Sequence, residues 1–554
     1  HAFRQTQTAY TARIYHEQGI DLLHPKLPVL GEPFEVPFEF PLFQAAASIV
    51  MDAGVDDDRA MRTTGLACFL LTALLLFGLV RHVTGRVGAI AAVAAFVFTP
   101  FAFVWGRASL MEYLATAGGV GFAWATIVWR ERAHPLPGAL ALVAGLVGML
   151  VKPTTALFWI LPALAHRPES ARETDRRRIR IGAAALIALP LVAALAWTRH
   201  ADSIKQAGPT TAWLTSGALR EWNFGTIEQR FDLTTWDVVL SRIGHTVLGA
   251  AGVMLLAVAI VATVSSPQRR FWASIWLAAV APMLVFTNLY FLHDYYLAAI
   301  SPALAALVGL SADFIATRLP NKPAVAAAGV VLAGFLAYTT LDLGRSYWLR
   351  IHGSEDDPTV MPLAGQISAH TRPGELVATD GLDWDPAVLY YARRWGHMVT
   401  GHTRDVAFDL IRSDDYRYLV VHDPANADLE PLGRWTLLGA LDRNLYALAD
   451  TRNELGNAQF VVSDVAAVPS VAQAPTEIPC GRSFSLRSRA PGTWLSFAPA
   501  GASARIAVSD EIAPLPVRRY AWLDADLAHG DRFMLTCSGM PSLTLEAVVE
   551  GAGR

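Results

Sequence analysis

Over the first 345 residues, apolar runs of roughly bilayer-spanning length, about 20 residues each, alternate with short gaps that hold nearly all the ionisable side chains. Ten runs are predicted as helices, at 61–80, 87–105, 110–129, 136–151, 153–165, 181–197, 245–264, 271–292, 296–316 and 324–341. The gaps themselves alternate. One set is basic, with Arg81 and Arg86, Arg130 and Arg132, the stretch 172–180, Arg269 and Arg270, then Arg318 and Lys322. The other set carries Glu39, Glu112, Lys152, Asp237, His293 and Asp294. Short basic loops stay cytoplasmic, so the second set shares the opposite, non-cytoplasmic face, and chemistry is expected there. Ten crossings return the chain to that face, placing everything after residue 341 on it.

Residues 1–19 mix Phe3, Tyr10, Ile14 and Tyr15 with Arg4, Gln5, Gln7 and Arg13, which predicts a helix lying along the membrane surface. The chain opens at His1 without a signal-like run, so an upstream crossing is expected. Residues 27–41 are rich in Pro and Glu and are predicted irregular. A second outer segment, 199–237, holds Trp213, Trp222, Phe224, Phe231 and Trp236, an interfacial aromatic set.

From Arg345 the pattern becomes that of a soluble domain. Strands are predicted at 375–380, 396–400 and 416–422 with helices at 386–394 and 405–412, a small α/β layer. Residues 460–549 alternate short apolar strands with Pro and Gly turns, which fits a β-sandwich. The expected architecture is therefore a polytopic α-helical membrane bundle over 1–344, an α/β domain over 345–450 and a β-rich domain over 451–554.

Composition sharpens this. Of 554 residues, 53% are hydrophobic and only 17% charged, with mean hydropathy +0.34, whereas soluble chains carry about 25% charged residues. A net charge of −3 leaves no basic footprint for nucleic acid. Lys26, Lys152, Lys205 and Lys322 are the only lysines, a bias that suits a GC-rich bacterial genome. Cys68 lies in an apolar run, and Cys480 and Cys537 lie near the two ends of the last hundred residues. Outside the cytoplasm the latter two are permitted a disulfide, with two separate buried thiols as the alternative.

Glu39 and Glu112 stand at helix entrances on the chemical face, where partial burial tunes a carboxylate for general-base work. The plainer readings are a water-facing Glu39 and a Glu112 that complements its helix N-terminus. Lys152 interrupts an apolar stretch as LVKPTT, and a cation there calls for an anion such as a phosphate, or snorkels to the interface. His293, Asp294, Tyr295 and Tyr296 share that level as a site or as an aromatic belt. The middle of each predicted helix lacks ionisable residues, which argues against ion-coupled transport. No HExxH, P-loop, GxGxxG, GxSxG or Cys/His zinc set stands in a supporting context, and no metal site is assigned.

RQTQTA followed by a Pro/Glu loop ending in EFPLFQ, then RASLMEYLA, LVKPT and HDYYLAAISPALA, resembles the bacterial GT-C membrane glycosyltransferases, the protein mannosyltransferase and aminoarabinose transferase superfamily. The resemblance covers about the first 340 residues. It implies transfer of a sugar from a polyprenyl-phosphate carrier to a lipid, glycan or protein hydroxyl at the non-cytoplasmic face of the bacterial plasma (inner) membrane, with no nucleotide. The C-terminal region would then be periplasmic or extracellular. The family's first-loop acidic base falls at or just before His1, three residues ahead of Arg4, so the base is His1 or, as the remaining carboxylate, Glu39. Glu112 stands at the family's second acidic position. Lys152 matches a lysine suited to the carrier phosphate, and His293 with Tyr296 matches the outer-loop motif facing the donor. Arg4, Gln5, Arg107, Asp294 and Tyr295 complete the implied donor-binding set. A divalent metal requirement is left open. Competing classes are an O-antigen ligase or polymerase using a diphosphate carrier, which Arg199, Arg220 and Arg230 leave open, and a multipass exporter with an outer sensing domain, which would need internal repeats or midplane charges.

Overall fold

The computed structural model describes residues 2–132, 134–166, 176–319 and 360–413, scattered helical positions between 323 and 345, and beyond 415 the strands with residue 480. The predicted run at 324–341 falls mostly outside them. Two compact units result, His1–Lys26 with Glu35–Asp356 and Leu27–Phe34 with Asp357–Arg554.

The first unit is a helical bundle. Its elements are α1 (Ala2–Gln18), α2 (Leu42–Asp52), α3 (Asp57–Val83), α4 (Arg86–Val97), α5 (Pro100–Trp105), α6 (Glu112–Arg132), α7 (Pro135–Val151), α8 (Pro153–Ala156), α9 (Ile160–Ala165) and α10 (Arg176–Ala207). There follow α11 (Arg220–Phe224), α12 (Ile227–Phe231), α13 (Leu233–Arg242), α14 (Gly249–Ser265), α15 (Arg269–Val285), α16 (Thr287–Leu292) and α17 (Ser301–Ala316). Among the described residues, Asp57–Val83, Ile179–Ala207 and Leu233–Ser265 are long and apolar enough to cross a membrane, and shorter apolar helices include Arg86–Val97, Pro135–Val151 and Ser301–Ala316. Leu74, Ile90, Val143, Val192 and Val264 point outward, each 58–73% exposed. A bundle that turns such side chains outward is built for lipid.

Sequence chemistry sets the helix limits. Asp56 caps α3 by accepting from the Arg59 amide, Asp57 and Asp58 fill its first turn, and Arg81 and His82 its last, so both ends complement the helix dipole. The run expected at 87–105 is divided because Thr99 caps a new helix whose first residue is Pro100. The run expected at 271–292 divides at Phe286, one turn after Pro282.

The helix expected at the N-terminus forms, but not on a surface. Thr6 through Tyr15 are all buried. Protein groups meet buried polar residues of α1: Arg13 pairs with Asp57 at 2.6 Å and Thr11 donates to the Lys26 carbonyl at 2.9 Å. Without a clean apolar face, this segment is stabilised by packing on all sides.

The second unit contains the expected strands β1 (Leu376–Asp380), β2 (Gly396–Val399) and β3 (Tyr416–His422), followed by β4 (Thr436–Leu441) and β5 (Tyr446–Asp450). The sheet order is β2-β1-β3-β5-β4. Parallel pairing of β1 with β2 and β3 follows from the intervening helices Ala387–Ala392 and Arg404–Ser413, which supply the crossovers. The segment Leu27–Phe34 belongs here too, because the Gly396 and Met398 amides donate to the Pro28 and Val29 carbonyls at 3.0 and 2.7 Å. Gly31 at the end of this pairing has φ +82°, and a Cβ there would lie 2.6 Å from the His397 ring, so glycine alone fits. Beyond residue 459 the strands form antiparallel sheets of four and six. Cys480 is disulfide-bonded and Cys68 is a buried free thiol. The side chain of Cys537 lies outside the described residues.

Candidate active site

The acidic and basic gaps separate to opposite ends of the bundle. At one end His82 and Glu131 meet, Arg130 donates to the carbonyls of Ala163, Leu164 and His166, and Gly85 donates to Asp313. At the other end lie the carboxylates expected to do chemistry.

That second end is built from the start of α6, the α7–α8 junction, the loop before α2 and the turn after α16. Glu112 opens α6, and Lys152 is the extended residue that ends α7 and begins α8. A close crossing of α6 and α7 brings them together: a Cβ on Gly118 would lie 2.5 Å from the Gly148 amide nitrogen, so glycine is required for the approach. Glu112 and Lys152 form an ion pair with side chains 3% and 4% exposed. The anion that meets Lys152 in this structure is therefore a protein carboxylate. The second carboxylate oxygen, Oε2 of Glu112, is buried and has no hydrogen-bond partner among the described residues.

Glu39 pairs with Arg4 of α1, whose guanidinium also donates to Gln7. The loop around Glu39 is pinned on both sides. Trp197 Nε1 donates to the Phe38 carbonyl at 3.0 Å, the Phe40 amide donates to the Leu150 carbonyl at 3.2 Å, and the Phe40 ring stands edge-on to Trp197. Burial would raise the pKa of Glu39, but Arg4 and Lys152 outweigh it and hold the carboxyl below its usual range. Gln5 accepts from the Ser109 amide at 3.2 Å, tying α1 to the entrance of α6.

Above these charges stand three stacked rings. His293 lies 5.2 Å from Tyr295 and 6.1 Å from Tyr296, and the two tyrosines are 4.8 Å apart. Lys152 Nζ sits 4.3 Å from the Tyr296 ring centre and 5.5 Å from that of Tyr295. Burial, helped by Lys152, Arg4 and Arg242, pushes His293 down to about 4, so the imidazole is neutral at physiological pH. Burial raises the neighbouring Asp294 carboxyl.

Arg4, Gln5, Glu39, Glu112, Lys152, His293, Tyr295 and Tyr296 thus gather at one level, with Asp294 adjoining. Arg107 does not share those contacts: it is exposed, with its guanidinium 5.1 Å from the Phe103 ring centre. His1 lies outside the described residues. Sequence reasoning passed over Lys205, which is buried beside Phe38, 3.1 Å from Asp202 and donating to the Leu214 carbonyl at 2.8 Å. Its signal was available, since it is one of only four lysines and stands in the segment expected on the outer face. Arg242 was also missed. It donates to the carbonyls of Tyr290 and Phe291, just before His293.

Residues 35–197 match the family described as dolichyl-phosphate-mannose-protein mannosyltransferase. Among solved structures, the chain is similar to ArnT from Cupriavidus metallidurans bound to undecaprenyl phosphate, with a TM-score of 0.58 and 12% identity over 82% of this chain and 95% of that one. A mycobacterial arabinofuranosyltransferase, AftD, aligns at TM-score 0.49 and 11% identity over 98% of this chain and 59% of that one. The oligosaccharyltransferase AglB from Archaeoglobus fulgidus, in complex with an inhibitory peptide and a dolichol-phosphate, aligns at TM-score 0.49 and 11% identity over 85% and 70%. No curated protein matches the chain. The matched segment and the ArnT likeness agree with the GT-C membrane glycosyltransferase resemblance, and the fold is of that kind.

Proposed function

We propose that this GT-C-fold chain transfers a sugar from a polyprenyl-phosphate donor to a hydroxyl of a lipid, glycan or protein acceptor, at the non-cytoplasmic face of a bacterial inner membrane. The carrying observation is the two neighbouring ion pairs, Arg4 with Glu39 partly buried and Lys152 with Glu112 buried, with Lys152 set against the rings of Tyr295 and Tyr296. Two cations at one level suit a phosphate leaving group, which needs charge neutralisation rather than a proton donor. The similar ArnT structure is bound to undecaprenyl phosphate.

In this reading Glu39 is the base. As the acceptor oxygen attacks the anomeric carbon, its proton passes to the Glu39 carboxylate. The bond from the anomeric carbon to the phosphate oxygen breaks with its electron pair, and Arg4 and Lys152 meet the charge on the departing phosphate. One in-line displacement inverts the anomeric centre. The cluster balances two cations against two carboxylates when empty. A phosphate entering it competes with Glu39 for Arg4, and release from that pair makes the carboxylate a stronger base. Neutral His293 and the tyrosine rings supply a flat wall for the sugar.

The test is Glu39→Gln, assayed with a synthetic polyprenyl-phosphate sugar. Turnover should fall by about two to four decades while donor binding persists. Near-normal turnover would remove Glu39 from the role, leaving Glu112 or His1 as the base. Mass spectrometry of copurifying lipid identifies the donor sugar directly.

A further inference from the structure

Three side chains meet at the arginine-bearing end of the bundle, outside the cluster described above. His82 lies in the last turn of α3, Glu131 in the last turn of α6, and His166 follows α9 as its C-cap. Nε2 of His166 is 2.8 Å from Oε1 of Glu131, and Nε2 of His82 is 3.0 Å from the same oxygen and 2.9 Å from Oε2. The three ligand atoms all lie within 4.8 Å of one another. We propose that His82, Glu131 and His166 bind a divalent transition-metal ion, Zn²⁺ by the chemistry of the set, which clamps the ends of three helices.

Both imidazoles bring Nε2 to one carboxylate, so three donor atoms of the types a tetrahedral ion uses are already gathered together. With bonds of about 2.0–2.1 Å, such an ion holds ligand atoms roughly 3.3 Å apart, near the His–Glu separations of 2.8–3.0 Å, and all three ligand atoms lie within 4.8 Å of one another. Two imidazole nitrogens and one carboxylate oxygen match a borderline-soft cation and poorly match Mg²⁺ or Ca²⁺, which take oxygen. The C-terminal, carbonyl-bearing ends of α3 and α6 and the α9 end meet here and favour a cation, against the opposing charge of Arg130, which is taken up by the Ala163, Leu164 and His166 carbonyls. His166 is buried with a side chain 5% exposed, whereas those of His82 and Glu131 are 22% and 24% exposed, leaving room for a water in the fourth position. Arg130 donates to the carbonyls of Ala163, Leu164 and His166 and so fixes the backbone that carries the buried ligand.

The site is separate from the sugar-transfer cluster. Glu112 and Glu131 lie on the same helix 19 positions apart, about 28 Å at 1.5 Å per residue. The ion would brace α3, α6 and the α9 end at the cytoplasmic side, not enter the chemistry. Three ligands spread over 84 positions of sequence have no local spacing pattern, which is why motif inspection passes over them.

The test uses the full chain in nanodiscs, stripped with a chelator and titrated with Zn²⁺ and then Co²⁺. About one ion per chain is expected, with the visible absorption of tetrahedral Co²⁺ and a rise in unfolding temperature on adding Zn²⁺. His82→Ala and Glu131→Gln should each weaken binding at least roughly tenfold and abolish the thermal shift, while His293→Ala leaves both intact. Glu131→Gln keeps size and hydrogen bonding, so it separates metal binding from simple structural loss. Equal metal content in the wild type and His82→Ala, or no binding by the wild type, would overturn the proposal. Metal lost only in His293→Ala would place the ion at the other end of the bundle and also overturn it.

Discussion

At the residue scale, each cation of the candidate site already holds a carboxylate, so a substitution changes two things. Lys152→Met removes the proposed phosphate partner and strands Glu112 in a buried position. The loss of stability should be about 3–5 kcal/mol, as for breaking any buried pair from one side. The double variant Lys152→Met/Glu112→Gln removes both charges and should recover most of that stability, measured by unfolding in nanodiscs. It should not recover transfer, because the phosphate contact stays lost, a deficit of about 1.5–3 kcal/mol. Recovery of both would make Lys152 a structural partner alone. His293 gives a pH signature of defined sign. In the unfolded chain the ring takes up a proton near pH 6.5, in the folded chain only at about 4. Between those values the unfolded state binds more protons, so stability falls as pH drops through the window. Unfolding temperatures at pH 7 and pH 5 should therefore differ less in His293→Gln than in the wild type. The residue types of this site were legible in the sequence, but their pairing was not. Arg4 and Glu39 are 35 positions apart, Glu112 and Lys152 are 40 apart, and neither spacing is one that local structure enforces.

At the element scale, hydropathy located the helices well, and turn chemistry explains where it divided them wrongly. Thr99 with Pro100, and Pro282 before Phe286, end helices inside stretches that remain apolar throughout, and an apolar count is blind to such breaks. The N-terminal helix was read correctly as a helix, but its surroundings were not legible, because a mixed polar sequence is compatible with a surface or with a buried slot full of polar partners. The decisive element contact is the crossing of α6 with α7. Gly118→Leu should force the helices apart, cost about 1–3 kcal/mol and reduce sugar transfer by separating Glu112 from Lys152. Gly217→Ala, at a position with nothing within 4 Å of the added carbon, should leave both unchanged. Equal thermal unfolding of Gly118→Leu and wild type would show that the crossing yields.

For the whole molecule, the alternating gaps predict topology. In intact cells an impermeant maleimide should label a cysteine introduced by Trp222→Cys and spare one introduced by Arg177→Cys; labelling at 177 would overturn the assignment. By itself the sequence carried the alternation of apolar runs with basic and acidic gaps and the change of composition after residue 345. Hydropathy and charge are carried by individual residues and summed over short windows, so they need no knowledge of the fold. Only the tertiary structure decided that the Leu27–Phe34 stretch of the first loop pairs with β2 in the second unit. It also decided that Lys152 meets Glu112 and that His82, Glu131 and His166 share one point. These follow from backbones approaching closely where glycines permit it and from helices ending at a common level. Such contacts join residues tens of positions apart, and only the packed chain fixes which of the many possible partners come within reach.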